Sequence, residues 1–388
     1  MSKAKFHGIG EAIFDIIFKG EGDEQQFIRG SGGGSIGNFL ANCSFHGFET
    51  WFHGTQGGSI HGEIAMADLE RVGVQIGNRQ PSSAADSRII FQTIKPARVD
   101  DLFSTTKHRF SLRCPVCKVK PEEASLPKLD SQFFISLPNF SKWDVLFFDK
   151  ITSERAKLSR KHIGSGGLAL LDLGHIGALR YRKPEELIWQ LNSFNIIHTS
   201  ESIIRSLSKR VGSASADSLF RHLEDHLVIS SDGENGLRIL RVKDGVCQAQ
   251  ISVPAPLIED FVDDAGAGDT LFSVFICSLF EATSGVPRNI LRCGPAKWKS
   301  AVDRALLRVV DVIGCEGARC HIPLSRRLPE SPGILVDKEG VLVSRIIRDS
   351  GKVPDCVFCR RSFESTKLKV RRGSRAESSL FTKNVNTL

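Results

Sequence analysis

Short apolar segments alternate with helical ones along most of this chain, and few folds accept that rhythm. Strand patterns fall at 13–18, 143–148, 168–173, 195–197 and 226–230. Helical patterns fall at 37–41, 65–72, 153–162, 184–191, 270–280 and 301–313. The helix at 184 opens on a proline, and the one at 65–72 stops at Gly73. Strand followed by helix, about six times, predicts a mostly parallel sheet with helices on both faces. Ligands of such sheets lie beyond the carboxyl ends of the strands. Segments at about 14–32 and 88–120 break the rhythm with β-type patterns and are expected to form a small separate sheet, a lid over the site.

At 388 residues, with 41% hydrophobic and 25% charged, the chain can bury a sizeable core in one large domain with appendages. The net charge of +8 is uneven. Residues 322–388 hold 14 Lys or Arg against 7 Asp or Glu, so the body is close to neutral and does not look like a nucleic-acid reader. Residues 1–20 carry Glu11 and Asp15 and no apolar stretch of signal-peptide length. The apolar run at 271–280 is far shorter than the about 20 residues a membrane span requires. A cytoplasmic protein without a membrane partner is expected. Ten Cys then read as buried thiols, metal ligands or catalytic groups rather than disulfides, with Cys43, Cys247, Cys277, Cys293, Cys315 and Cys320 mostly in the core.

The stretch Val262-Asp-Asp-Ala-Gly-Ala-Gly-Asp-Thr270 precedes the most apolar helix. Backbone N–H groups at a helix start are unsatisfied and sit at the positive end of the dipole. Gly266, Ala267 and Gly268 would let a phosphoryl group approach them closely, and Asp269 in the first turn could accept a hydroxyl proton. A tight turn with Asp269 as a plain cap fits the same residues equally well.

A resemblance separates the two. Asp263-x-x-Gly266-Ala267-Gly268-Asp269 resembles the C-terminal signature of the ribokinase-like (PfkB-type) carbohydrate kinases, usually Asp-Thr-x-Gly-Ala-Gly-Asp. Gly33-Gly34-Ser-Ile-Gly-Asn38-Phe-Leu-Ala41 resembles the N-terminal signature, Gly-Gly-x-x-x-Asn-x-Ala. The resemblance covers roughly residues 6–320. It implies a three-layer α/β/α fold with a small β lid, followed by a C-terminal extension at 322–361 and a basic tail at 362–388 that is expected to be disordered. It implies transfer of phosphate from ATP, with Mg²⁺, to a hydroxyl of a sugar, sugar acid or nucleoside. The Gly266–Gly268 backbone would then be the anion hole and Asp269 the base. Asp15, Gly33, Gly34 and Asn38 would bind the acceptor. Ser231, Gly233 and Gly236, in the strand-then-turn Val228-Ile-Ser-Ser231-Asp-Gly233-Glu-Asn-Gly236, would lie along the nucleotide with Asp263 and Gly317. Lid-mediated homodimers occur among proteins of this kind. Asp264 stands where Thr is usual, and the common Asn-x-x-Glu is absent after Asn195, with Glu201 its nearest equivalent as a ligand of metal-bound water. These departures keep a non-catalytic binding protein of the same fold as the second reading.

Cys114-Pro-Val-Cys117 and Cys356-Val-Phe-Cys359 have the spacing of zinc knuckles and together supply four thiolates for one structural Zn²⁺. Such a site would pin the extension to the lid. With the basic stretch at 367–375 it also supports a third reading, a nucleic-acid-associated protein.

Overall fold

From the N-terminus, β1 (Lys5–Glu11) is followed by the hairpin β2 (Ile13–Lys19) and β3 (Gln26–Gly33). Next come α1 (Gly34–Phe45), β4 (Glu49–Gly57), α2 (Ile60–Arg71), β5 (Gln75–Ser82), β6 (Arg88–Ile94) and β7 (His108–Ser111). The second half holds α3 (Ser131–Ser136), β8 (Asp144–Phe148), α4 (Ser153–Gly164), β9 (Leu168–Leu173), α5 (Pro184–Leu191), β10 (Ile196–Ser200) and α6 (Glu201–Arg210). It ends with β11 (Asp225–Ser231), β12 (Leu237–Lys243), β13 (Val246–Val253), α7 (Ala267–Ala282) and α8 (Pro295–Ile313). This computed structural model describes residues 4–322 apart from 21–25, 58–59, 83–87, 95–107, 112–113, 115–128, 175–182, 213–215 and 259–260.

The main sheet runs β13-β12-β11-β10-β9-β8-β1-β4-β5. From β11 to β5 all neighbours are parallel. β12 and β13 add an antiparallel margin that the sequence reading did not anticipate. The central strands β8 and β9 are mostly apolar because helices cover both faces. In β8, Val145 and Phe147 pack into the layer of α1, α2, α7 and α8, while Leu146 and Phe148 pack into that of α3, α5 and α6. The expected three-layer α/β/α architecture is therefore present. α7 buries eleven of its residues between the sheet, α1 and α8, which is why it is apolar on nearly every side.

After β1 the chain lays β4 and β5 on one side and β8 to β11 on the other. The strand order thus reverses between β1 and β8, the point where open parallel sheets bind ligands. The second sheet, β3-β2-β6-β7, springs from that point, since β2 begins one residue beyond β1. Lys150 Nζ (2.8 Å) and Arg88 Nε (3.4 Å) converge on Glu11 Oε2 and tie the small sheet to the ends of β1 and β8.

Candidate active site

The turn before α7 is held by backbone contacts from both sides. Asp263 is buried; its Oδ1 accepts the Ala265 N–H (3.0 Å) and its Oδ2 accepts the Gly317 N–H (2.8 Å). The sequence reading set Asp263 beside the nucleotide, whereas here it clamps the turn onto the 314–320 loop. Gly266 caps α7 at φ +76, and a Cβ there would lie 2.4 Å from that of Ala318. Both the left-handed backbone and the close approach require glycine. Ala267 N–H reaches Asp264 O and Thr270 N–H reaches Gly266 O, while those of Gly268 and Asp269 have no backbone acceptor among the described residues. Two donors at a helix start are thus left for an anion. Asp264 itself is exposed.

Asp269 stands in the first turn of α7 beside these donors. Asn38 Nδ2 donates to its Oδ2 (2.7 Å), and Arg319 Nε donates to Asn38 Oδ1 (2.9 Å). A guanidinium only donates, so it fixes which way the Asn38 amide points. Asn38 was expected to donate to and accept from an acceptor hydroxyl; here both ends of its amide are engaged within the protein. Burial, then the charge of Asp172, raises the Asp269 pKa to about 6, against the opposing effect of Asn38, Ser35 and His198. A carboxylate of that kind is suited to take up a proton near neutral pH.

On the acceptor side, a pocket between the small sheet and α1 is lined by Asp15, Ser31, Asn38, Asp68, Arg71 and Arg319, among others. Asp15 is buried on β2, opposite Ser31 of β3. A Cβ on Gly33 would fall 1.7 Å from Asp15 Oδ2, so Gly33 makes room for that carboxylate. Gly34 begins α1 at φ +76, against Ile13. Asp68 accepts the Gly32 N–H (2.6 Å) and pairs with Arg71 (3.4 Å). Asp15 and Asn38 thus line this pocket, Gly33 makes room for Asp15, and Asp269 adjoins it through its bond to Asn38.

The nucleotide-side residues lie at the ends of β10 and β11. Ser231 Oγ reaches Thr199 O (3.3 Å), and Gly233 and Gly236, at φ +56 and +93, shape the turn into β12. Gly236 lines an open groove with Glu201 and Arg238. Glu201 Oε1 accepts from Ser230 Oγ (2.8 Å) and Arg238 Nε (2.9 Å), so the expected ligand of metal-bound water is engaged by a guanidinium. Among the described residues no cluster of three His, Cys, Asp or Glu is arranged to hold a metal.

Two features escaped the sequence reading. Arg319 was not singled out, because its place depends on a loop returning to α1 across 281 positions. Asp172 and His198 pair at 2.8 Å on adjacent strands beside Asp269; polar residues late in otherwise apolar strands were the signal. The expected lack of disulfides is corrected: Cys315 and Cys320 are bonded, with Cα atoms 6.0 Å apart. The turn through Gly317 (φ +84) brings them within bonding reach. Cys247 is exposed rather than in the core, whereas Cys43, Cys277 and Cys293 are buried. Cys114 is buried too, but Cys117, Cys356 and Cys359 lie outside the described residues, as do the extension and tail.

A nine-stranded, mostly parallel sheet between two helical layers, with a four-stranded sheet rising from its switch point, defines a ribokinase-like fold. Solved structures agree. The chain is similar to aminoimidazole riboside kinase from Salmonella enterica, complexed with aminoimidazole riboside and an ATP analogue, at 19% identity and TM-score 0.58, over 82% of this chain and 96% of that one. It is similar to fructokinase from Vibrio cholerae, bound to fructose, ADP and calcium, at 17% identity and TM-score 0.59, over 84% and 99%. It is also similar to ribokinase from Giardia lamblia at 17% identity and TM-score 0.61, over 82% and 97%. No family model matches the sequence, and no curated protein matches it.

Proposed function

We propose that this protein is an ATP-dependent kinase of a small hydroxyl compound: a sugar, sugar acid or nucleoside. One observation carries the reading. A carboxylate whose pKa is raised to about 6 stands at a helix start beside two N–H groups with no backbone acceptor among the described residues, and it is bonded to Asn38 of a polar pocket. Asp269 takes the proton of the acceptor hydroxyl. The oxygen attacks the γ-phosphorus, the bond to the bridging oxygen breaks, and the products are a phosphate monoester and ADP. The Gly268 and Asp269 N–H groups hold the developing charge, the main requirement of phosphoryl transfer besides alignment. The nucleotide lies along 231–236 and the 314–320 loop, with Mg²⁺ carried chiefly on its phosphates, as that ion prefers. The small sheet closes over the acceptor and excludes water, which limits ATP hydrolysis. The solved structures named above include kinases bound to a sugar or a riboside, which favours the same class of acceptor.

The test is ADP release with MgATP across a panel of sugars, sugar acids and nucleosides, beside Asp269→Asn. Acceptor-dependent release that drops by about 10²–10⁴ in the variant is the expected result. Nucleotide binding without turnover on any acceptor would move the assignment to a non-catalytic binding protein. Failure to bind nucleotide would sink the kinase reading.

A further inference from the structure

One buried hydrogen-bonded pair takes no direct part in the transfer step above. Asp172 and His198 are direct register partners on β9 and β10, on the sheet face that meets α7. They are 6% and 5% exposed. A carboxylate accepts, so His198 Nδ1, 2.8 Å from Asp172 Oδ1, carries the donated proton. Nε2 is buried and has no hydrogen-bond partner among the described residues. The imidazole stacks on Phe272, with centroids 5.0 Å apart and planes 23° apart. A Cβ on Gly268 would lie 3.5 Å from Cε1, the atom bonded to Nε2. Gly268 and Phe272 are one helical turn apart, so the ring packs along the first turn of α7 with Cε1 nearest Gly268.

We propose that His198 is a phosphate-binding residue of the transfer site, its Nε2 meeting an oxygen of the group seated on the Gly268 and Asp269 N–H donors, with Asp172 fixing the ring. The identity of the phosphate donor rests on the kinase reading. Leaving a buried donor or acceptor unmatched is unfavourable, so a ligand that completes it gains selectivity. The ring is faced by the carboxylates of Asp172 from β9 and Asp269 from α7, and its register neighbour on β11 is the apolar Ile229. Nδ1 already donates to Asp172, so the proton shared between Nε2 and the phosphate oxygen arrives with the ligand.

His198→Asn separates this role from a structural one. The Asn amide can take the place of Nδ1 and keep the bond to Asp172, but nothing then reaches the position of Nε2. Calorimetry would measure the affinity of the wild type and the variant for inorganic tripolyphosphate, a non-hydrolysable ATP analogue and adenosine, with thermal unfolding as the check on the fold. The variant is expected to bind tripolyphosphate and the analogue about 10-fold or more weakly, the scale of a lost charge-assisted bond, and adenosine unchanged. Equal affinity for tripolyphosphate would overturn the proposal, as would parallel losses for all three ligands with a falling melting temperature. Should His198→Asn fail to fold, the ¹⁵N spectrum of the wild-type imidazole decides: an Nε2 resonance of His198 that moves when tripolyphosphate is added supports the proposal, and an unmoved one refutes it. Tripolyphosphate bound by the wild type without ADP release on any acceptor would remove the kinase reading and leave the anion site standing. A wild type that binds neither phosphate compound would remove both.

Discussion

The two ends of the candidate site are built in opposite ways. At the transfer end, segments far apart in the chain interlock: Arg319 on Asn38, Asn38 on Asp269, Asp263 on Gly317, Gly266 on Ala318. At the nucleotide end, an open groove follows the turn from β11 into β12, and its clearest polar contact is Glu201 with Arg238. The glycines show the contrast most directly. Gly266 and Gly233 are both left-handed, at φ +76 and +56, but a Cβ on Gly266 strikes Ala318 whereas one on Gly233 meets nothing within 4 Å. The tight point at the nucleotide end is Gly236, against Val253 O. Bond-making chemistry tolerates little misplacement, so fixed geometry is concentrated where the phosphorus would move. Nucleotide binding can spread over a looser surface.

That pair of glycines gives the most severe way to break the comparison. Gly233→Ala carries only the left-handed penalty, about 1 kcal/mol. Gly266→Ala adds a collision with Ala318 and is expected to lower stability by about 3 kcal/mol. Its kcat/KM should fall about 100-fold, since the anion donors and Asp269 both shift. Denaturant unfolding and steady-state kinetics on the two variants measure both. Equal losses would mean that the transfer end is no more constrained than the groove.

A smaller effect should follow from Arg319→Met, which removes the group that orients Asn38. The acid limb of the pH profile is expected near pH 6 in the wild type, because Asp269 acts only when deprotonated and burial raises its pKa to about 6. Asn38 opposes that rise by donating to the charged form. With Asn38 free to turn, the carboxylate loses a donor and its pKa climbs further. One hydrogen bond of 0.5–1.5 kcal/mol converts to about half to one pH unit. The kcat/KM profile should move to higher pH by that amount, and an unmoved limb would show that Arg319 does not act through Asn38.

The same contrast explains what the sequence made legible. β8 and β9 stood out because both faces are buried and all but one residue of each, Asp144 and Asp172, are apolar. β4 did not: Gly54 sits where a Cβ would lie 1.8 Å from Gly10 O, so close packing of two strands replaced the apolar pattern with glycine. β5 is a polar edge strand containing Pro81, a type that carries little signal. The β12–β13 hairpin was overlooked although Asp244-Gly245, with φ of +50 and +75, is the dipeptide favoured where both turn residues are left-handed. In the site, Gly266, Gly268 and Asp269 were legible because they are contiguous and their backbone demands are local. Arg319, Asp172 and His198 were not, since each acquires its place only when distant segments meet. Glu201 lines the groove beside β11, and its partner Arg238 arrives from the antiparallel margin that the parallel rhythm did not predict.

Glu201 therefore offers the smallest effect and the sharpest choice between two readings of the groove. As a ligand of metal-bound water, it should set the Mg²⁺ requirement, and Glu201→Gln would raise the Mg²⁺ concentration needed for half-maximal rate. In the structure its Oε1 faces Ser230 and Arg238, with 15% of the side chain exposed against 22% for the arginine. A partly exposed pair of this kind contributes about 1 kcal/mol or less. Gln at 201 can still accept one hydrogen bond but no longer neutralises Arg238. The Arg238 guanidinium borders the groove, where polyphosphate would attract it away from its present position. The expected outcome is a change in KM for ATP of about threefold, with kcat and the Mg²⁺ midpoint unchanged. A shifted Mg²⁺ midpoint would restore Glu201 to the metal and show that Arg238 yields its place when nucleotide binds.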